Sequence, residues 1–170
     1  MPISLDSLRS AASRSPMRKA ARKFTDSREV GFKTAFLCHS HDDVDLVKGL
    51  VTLFDESDWR VYIDWEDATM PEEPTRETAQ RIQAKIRELN YFIFLATPNS
   101  VKSRWCPWEI GYADGQKQRS TILILPTTDR SGSWYGNEYL KIYRNIDLGK
   151  SGTLGVWEPG ETNGVKLASL

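Results

Sequence analysis

One short segment of the chain carries residue types that could stabilise positive charge in a ligand. Residues 103–109 read Ser-Arg-Trp-Cys-Pro-Trp-Glu, which places Glu109 four residues after Trp105. Residues four apart on an α-helix lie on the same face, so we predict that this indole and this carboxylate point the same way. A carboxylate beside a flat aromatic surface suits a ligand with a positively charged ring or a sugar.

The start and the faces of this helix follow from its residue types. Pro107 lacks a backbone N–H and fits only the first helical turn, so the helix should begin near Ser103 or Arg104. We predict that the core face holds Cys106, Ile110 and Ala113. We predict that the neighbouring face, toward a ligand crevice, holds Trp105, Glu109 and Tyr112. The alternative is a surface helix with a solvated Glu109, whose aromatic side chains only cover the core.

A second candidate cluster, Cys38-His39-Ser40-His41-Asp42, follows a short apolar run. Histidine, cysteine and aspartate are also the residue types that bind metals. Side chains alternate along a strand, however, so Cys38 should face away from His39. The sequence holds no second cluster of metal ligands, although Cys106 could lie nearby. We therefore predict no metal site, and we expect this loop to hydrogen-bond a ribose or a phosphate.

A third candidate segment is Asp64-Trp65, in an acidic loop that contains prolines. An indole is costly to leave in water, so Trp65 should cover a ligand or a neighbouring subunit. The alternative, that Trp65 packs back onto its own domain, stays open.

The elements that must position these residues alternate along the chain. Apolar runs predict strands at residues 33–38, 60–64, 91–96 and 121–125, and a last short strand at 142–148. Helical spacing predicts helices at about 43–54, 77–89 and 103–118, with loops at 65–75 and 97–100. Asp42 and Asp43 suit the N-cap of the first helix. This alternation predicts an α/β fold, a parallel sheet with helices on both faces. The candidate segments should then share the carboxyl edge of the sheet, where ligands bind.

Length and charge distribution indicate the domain organisation. The 170 residues amount to about one domain, which we assign to residues 31–150. Residues 1–30 carry seven Lys or Arg against three Asp or Glu, and we predict a loosely attached basic arm. The alternative is an arm that docks on a partner or on the domain's own acidic face. Residues 151–170 form a C-terminal tail, whose packing on the domain the sequence leaves open.

Composition and missing motifs narrow the partners and the class of protein. The net charge is zero, so we expect neither a nucleic-acid nor a membrane partner. The sequence has no apolar run of membrane-span length and no secretory signal, and its two cysteines suit a reducing, cytoplasmic location. It has no G-x-G-x-x-G after the first strand, no P-loop and no G-x-S-x-G, which argues against a dehydrogenase, a P-loop NTPase and an α/β-hydrolase.

Together these segments resemble the Toll/interleukin-1 receptor (TIR) domain in its bacterial form. The resemblance rests on residues 35–43, 60–64, 91–95 and 100–109, and its most specific part is the Trp-Cys-x-x-Glu run followed by Ile110. It covers about residues 32–126 and weakens toward residue 150. The fold that it implies is flavodoxin-like.

The resemblance also implies an activity. Many TIR domains cleave NAD+ between nicotinamide and ribose, and the glutamate at the position of Glu109 is catalytic in them. NAD+ is then a substrate, with no separate cofactor. Nicotinamide leaves as a neutral molecule, so positive charge develops on the ribose, where one carboxylate can stabilise it. The substrate-binding residues implied are His39, Ser40, His41, Asp64, Trp65 and Trp105.

The implied products are nicotinamide with ADP-ribose, or with a cyclic ADP-ribose-type signal, in bacterial antiphage defence of the Thoeris kind. The resemblance further implies a homo-oligomer with a composite active site and a downstream effector reached through the nucleotide product. The chain lacks a Pro-Gly step after Asp64 and a Phe-Trp pair after the fourth strand, which argues against an animal-type adaptor. Two alternatives stay open: a non-catalytic interaction module, and another N-glycosyl enzyme such as a nucleoside deoxyribosyltransferase-like protein.

Overall fold

The predicted α/β alternation is confirmed in a computed structural model, which describes residues 2–14, 32–71, 73, 75–149 and 152–170. In chain order the elements are β1 (Ile3–Ser4), α1 (Leu5–Arg14), β2 (Lys33–Cys38), α2 (Val44–Asp55), β3 (Trp59–Tyr62), α3 (Arg76–Glu88), β4 (Tyr91–Ala96), α4 (Pro98–Lys102), α5 (Cys106–Gln116), β5 (Ile122–Thr128), β6 (Trp134–Tyr135), β7 (Arg144–Leu148), β8 (Leu154–Trp157) and β9 (Gly164–Lys166). Within the described ranges, no helix has both the length and the apolar character needed to cross a membrane.

The order of the parallel strands places a ligand crevice. They pair in the order β3-β2-β4-β5-β7, and the antiparallel strands β8 and β9 extend the sheet beyond β7. This is the order of flavodoxin-like folds, as predicted. From β2 the chain continues to β3, which lies at one edge of the sheet, and from β3 it returns to β4, on the other side of β2. The carboxyl ends of β2 and β4 therefore border a switch point, where such sheets bind ligands.

The central strands are buried on both faces because helices cover both. Along β2, Ala35 and Leu37 face an apolar cluster that includes α2, whereas Phe36 and Cys38 face a second cluster that includes α3 and α5. This explains why β2 and β4 read as continuous apolar runs rather than as alternating ones. It also directs the Cys38 side chain toward α5.

The first residues of the chain belong to the domain. Strand β1 pairs in parallel with the end of β5, and Ile3, Leu8 and Ala11 are fully buried. The prediction of a loosely attached arm is therefore wrong for residues 2–14, because the apolar residues of α1 join the core cluster of α2. The rest of the predicted arm lies outside the described residues.

Gly49 records how closely α1 approaches α2. A Cβ at this position would lie 1.9 Å from the backbone oxygen of Leu8. We expect Gly49→Ala to lower the free energy of unfolding by about 1–3 kcal/mol, because backbone cannot yield as a side chain can. Urea unfolding measures this change. In Gly111→Ala, the matched control in α5, the new Cβ meets no atom within 4 Å, so stability should rise by about 0.5–1 kcal/mol. Equal effects of the two substitutions would contradict this docking of α1.

One element differs from the sequence prediction, and the C-terminal residues are packed in a way that the sequence left open. Residues 97–100 are not a loop: helix α4 begins there, because the Thr97 side chain accepts the N–H of Ser100 and Pro98 occupies the first turn. The C-terminal residues continue the sheet. Strand β8 pairs with β7 and β9 with β8, and Val156 and Leu167 are buried. The described part of the predicted tail is thus packed on the domain.

Candidate active site

The three candidate segments meet at the carboxyl edge of the sheet. His39 and His41 follow β2, Asp64 and Trp65 follow β3, and Glu109 lies in the first part of α5, beyond β4. The segments share this edge, as the sequence predicted, and the strand order places the edge at the switch point. Three parallel strands thus supply the backbone that positions the side chains.

Helix α5 is attached to the end of β2 through two thiols. The Cys38 thiol donates to the backbone oxygen of Cys106 at 3.8 Å, and the Cys106 thiol donates to that of His39 at 3.3 Å. Both cysteines are free and fully buried. The predicted core face of α5 is confirmed, since Cys106, Ile110 and Ala113 are all buried. The helix begins at Cys106, two or three residues later than predicted.

The carboxyl group of Glu109 is buried, with 5% of the residue exposed. It lies with the Cys38 and Cys106 thiols in a group whose three sulfur and oxygen atoms are within 4.8 Å of one another. The alternative of a solvated carboxylate is therefore wrong, whereas the expectation that Glu109 faces a ligand crevice stays a prediction. The four-residue spacing between Trp105 and Glu109 does not determine which way each side chain turns, and the Glu109 side chain turns toward Cys38 at the end of β2.

Burial raises the pKa of Glu109 to about 8, because the charged form loses its hydration. The resting protein therefore holds mainly the neutral acid at pH 7. A positive charge beside the carboxyl would stabilise the carboxylate anion and lower its pKa, so that the proton is released. The group is thus suited to a ligand that is cationic or becomes cationic during reaction.

Trp105 is half-buried and belongs to a row of aromatic side chains on α5. Its ring meets that of Trp108 edge-to-face at 5.4 Å between centroids, and Trp108 stacks on Tyr112 at 6.1 Å. Trp108 is 37% exposed. The three rings form an apolar surface beside the part of the helix that carries Glu109.

His39 is a buried histidine with one unsatisfied nitrogen. Its Nδ1 lies 2.9 Å from the backbone oxygen of Leu37, whereas its Nε2 has no hydrogen-bond partner and lies 3.5 Å from Oδ1 of Asp64. Burial lowers the pKa of His39, although the Asp64 charge opposes this. The ring is therefore held mainly neutral.

His41 is exposed and pairs with the same aspartate, at 3.1 Å between Nε2 and Oδ2 of Asp64. This hydrogen bond raises the pKa of His41. Burial alone would raise the pKa of Asp64, but the hydrogen bond from His41 and the charge of that imidazole outweigh burial, and the pKa of Asp64 is lowered. The loops after β2 and β3 are thereby joined by one carboxylate between two imidazoles.

Trp65 packs onto its own domain, which the sequence had left open. Its ring meets His39 edge-on at 4.3 Å and His41 at 5.8 Å between centroids. Ser40 caps the short turn that follows it, since its hydroxyl accepts the N–H of Asp42 at 3.3 Å. The hydroxyl thus has a local role in the loop.

Asp43 has a role that the sequence analysis missed. The prediction that its carboxylate caps α2 is wrong, since it makes no capping hydrogen bond. The carboxylate instead accepts hydrogen bonds from the hydroxyl of Thr97 and, at 2.7 Å, from the side-chain amide of Asn99. Asp43 therefore joins the segment after β2 to the start of α4 across the switch point. No local pattern signals this contact, because Asn99 lies 56 residues further along the chain.

Two groups of side chains in the described residues have the composition and spacing of metal ligands. One is Cys38, Cys106 and Glu109, and the other is His39, His41 and Asp64; within each, three ligand atoms lie within 4.8 Å of one another. Cys38 and His39 fall into different groups, as the strand alternation predicted. Asp64 completes the second group from the next strand. The expectation that the protein binds no metal is not tested by this geometry.

A doubly wound sheet whose switch point carries these loops is the architecture of a TIR domain. The family model described as "TIR domain" matches residues 35–153. The chain belongs to this family, which confirms the resemblance drawn from its motifs.

Two relatives are more specific. The chain is 34% identical over 116 residues to "Probable 3' cyclic ADP-D-ribose synthase ThsB'" of Bacillus cereus (strain MSX-D12), a match that covers 67% of this chain and 60% of that protein. It is 26% identical over 99 residues to "Putative cyclic ADP-D-ribose synthase TIR2" of Cytobacillus dafuensis, covering 56% of this chain and 26% of that protein. The chain therefore spans less than two thirds of the length of either relative.

Proposed function

We propose that this protein cleaves the bond between nicotinamide and ribose in NAD+. The observation that carries the proposal is the buried Glu109 carboxyl at the switch point, where burial raises its pKa. A neutral carboxyl that ionises when positive charge arrives matches this substrate, whose nicotinamide is cationic before cleavage and whose ribose becomes cationic during it. The names of the two relatives, both cyclic ADP-D-ribose synthases, support the same substrate.

In the proposed reaction the Glu109 carboxylate stabilises the charge that develops on the ribose. Electrostatic stabilisation of this kind is strong in a site from which water is excluded, because the carboxylate need not reorganise during the reaction. The leaving nicotinamide departs neutral, so the reaction needs no strong general acid. Attack by water gives ADP-ribose, and attack by a nucleophile within the same molecule gives a cyclic product.

The other predicted residues would bind the rest of the dinucleotide. His39, Ser40, His41 and Asp64 offer polar groups to ribose hydroxyls or phosphates at the carboxyl ends of β2 and β3. Trp65 bounds that side through its contact with both histidines. Trp105 would form the wall beside nicotinamide, since its ring begins the aromatic row on α5.

We also propose that the active form is a homo-oligomer. With 5% of Glu109 exposed, a substrate can reach the carboxyl group only if its surroundings move, and contact with a second copy can supply that change. The exposed ring of Trp108 offers apolar area for such a contact next to the site.

A cyclic ADP-ribose-type product, rather than ADP-ribose, is favoured by the names of the relatives. A cyclic nucleotide suits a signal in bacterial immunity that acts on a downstream effector. A cytoplasmic location, where NAD+ is present and thiols stay reduced, suits the two free cysteines.

The test is to incubate purified protein with NAD+ across a range of protein concentrations. We expect loss of NAD+, release of nicotinamide and a second product whose mass distinguishes ADP-ribose from its cyclic form, which lacks one water. The assembly state is measured by light scattering in the same samples. If assembled protein leaves NAD+ intact while a known NAD+-cleaving enzyme consumes it, the proposed function is wrong and a non-catalytic interaction module becomes the better hypothesis. Cleavage of nucleosides instead of NAD+ would point to the other N-glycosyl class.

A further inference from the structure

We propose that His39, His41 and Asp64 form a binding site for a divalent transition-metal ion of the zinc class. The three side chains come from the loops after two neighbouring strands, and their ligand atoms lie within 4.8 Å of one another. Two imidazoles and one carboxylate are a ligand set that zinc uses where it keeps an open coordination position. Mg²⁺ and Ca²⁺ prefer sets made of oxygen alone.

The unsatisfied nitrogen of His39 is the observation that points to a ligand. The side chain of His39 is 2% exposed, and its Nε2 has no hydrogen-bond partner. A neutral imidazole carries its proton on one nitrogen and a lone pair on the other. Because Nδ1 faces the backbone oxygen of Leu37 at 2.9 Å, Nδ1 must carry the proton, and the lone pair is on Nε2.

That lone pair faces a second acceptor, Oδ1 of Asp64, at 3.5 Å. Two acceptors that face each other in a buried place repel, and a cation between them removes the repulsion. The contact between Nδ1 of His39 and Leu37 also serves a metal site. Metal-binding histidines usually donate their other ring N–H to a carbonyl or a carboxylate, which fixes the ring orientation.

The spacing of the ligand atoms fits one ion. Zinc lies about 2.0–2.2 Å from histidine nitrogen and carboxylate oxygen, so two ligands at the tetrahedral angle are about 3.4 Å apart. The separations are 3.5 Å between His39 Nε2 and Oδ1 of Asp64, and 3.1 Å between His41 Nε2 and Oδ2 of Asp64, so the ion would lie beside both carboxylate oxygens. The His41 side chain is 71% exposed, so the remaining coordination position opens toward the crevice.

The composition of the chain makes this proposal directly testable. His39 and His41 are the only two histidines in the sequence, so every histidine signal reports on the proposed site. Untagged protein, stripped of metal with a chelator, is titrated with Zn²⁺ by calorimetry and by NMR of the ¹⁵N-labelled histidine rings. We expect one Zn²⁺ per chain, shifts of both histidine rings on binding, and no competition from millimolar Mg²⁺.

Three variants separate this site from other ways to bind zinc. Asp64→Asn keeps the shape of the side chain and His41→Ala alters an exposed residue; each should weaken Zn²⁺ binding at least about tenfold. Glu66→Gln, which changes an exposed carboxylate in the same turn as Asp64, should leave it unchanged. Circular dichroism verifies that each variant is folded.

The proposal is overturned if Zn²⁺ does not bind, or if Asp64→Asn and His41→Ala bind it as tightly as wild type. It is also overturned if zinc binds while both histidine signals stay in place, since the ion would then lie outside the proposed site. None of these measurements uses NAD+, so the outcome is independent of the proposed cleavage reaction.

Discussion

Glu109→Gln is expected to lower kcat/KM for NAD+ by about a hundredfold to a thousandfold, the loss typical when one preorganised charge-stabilising group is removed. Glutamine has nearly the same shape as glutamate, so the buried contacts with Cys38 and Cys106 should persist. It cannot ionise, so the positive charge that develops on the ribose would lose its counter-charge. The measurement is nicotinamide release as a function of NAD+ concentration.

The matched control for this variant is Glu161→Gln. Glu161 is exposed in the turn between β8 and β9, and its replacement is the same chemical substitution outside the candidate site. Its rate should equal that of wild type. Light scattering must give the same assembly state for all three proteins. A Glu109→Gln enzyme that keeps more than about a tenth of the wild-type rate would remove Glu109 from the proposed mechanism.

The second large effect concerns stability and its dependence on pH. The pKa of Glu109 is about 8 in the folded protein against an ordinary 4.5, so the folded state retains a proton that the unfolded state has lost. Stability therefore falls as the pH rises from about 4.5 through 8. A difference of this size between the two pKa values corresponds to at most about 5 kcal/mol at the alkaline end.

Glu109→Gln should remove this pH dependence, because glutamine is neutral at every pH. Relative to wild type, we expect the variant to gain a few kcal/mol of unfolding free energy between pH 5 and pH 9. Urea unfolding at pH 5, 7 and 9 measures the gain, and Glu161→Gln again serves as the control. Parallel stability curves for wild type and Glu109→Gln would show that the Glu109 carboxyl is hydrated in solution and that its pKa is ordinary.

The two predictions have one physical origin. A buried carboxyl without a cationic partner destabilises the folded protein whenever it ionises, and the same property makes it responsive to a cationic ligand. A variant that gains stability at high pH and loses NAD+ cleavage would link the two directly. Loss of function with gain of stability is the pattern expected where a site keeps a strained group for its chemistry.

Much of the fold could be predicted from the sequence because its signals are local. The apolar runs of β2 and β4 and the helical periods of α2 and α3 come from burial that repeats every few residues, and such repeats are readable in one dimension. The polar segments after the strands could be assigned to one edge for the same reason. Short strands are harder to predict, because β1, β8 and β9 have two to four residues each, too few to show a hydrophobic period.

The sequence analysis did not predict the docking of α1 or the presence of α4, and the physical reasons differ. Residues 2–14 read as an arm because their apolar residues are few, yet Gly49 lets the helix approach closely enough to bury them. Thr97 as an N-cap and Pro98 in the first turn are local indications of a helix start at α4. The helix has only five residues, however, which are too few to form an apolar stripe.

The sequence by itself determined the α/β class, the edge of the sheet where the candidate residues lie, and Glu109 as the residue to test. Only the tertiary structure decided that Glu109 turns inward against Cys38, that Asp64 joins His39 and His41, and that Asp43 holds Asn99 at the start of α4. These contacts connect residues 23 to 71 positions apart. Which residues meet across such separations depends on the order of the strands and on the side-chain rotamers. Neither of these produces a periodic pattern in the sequence.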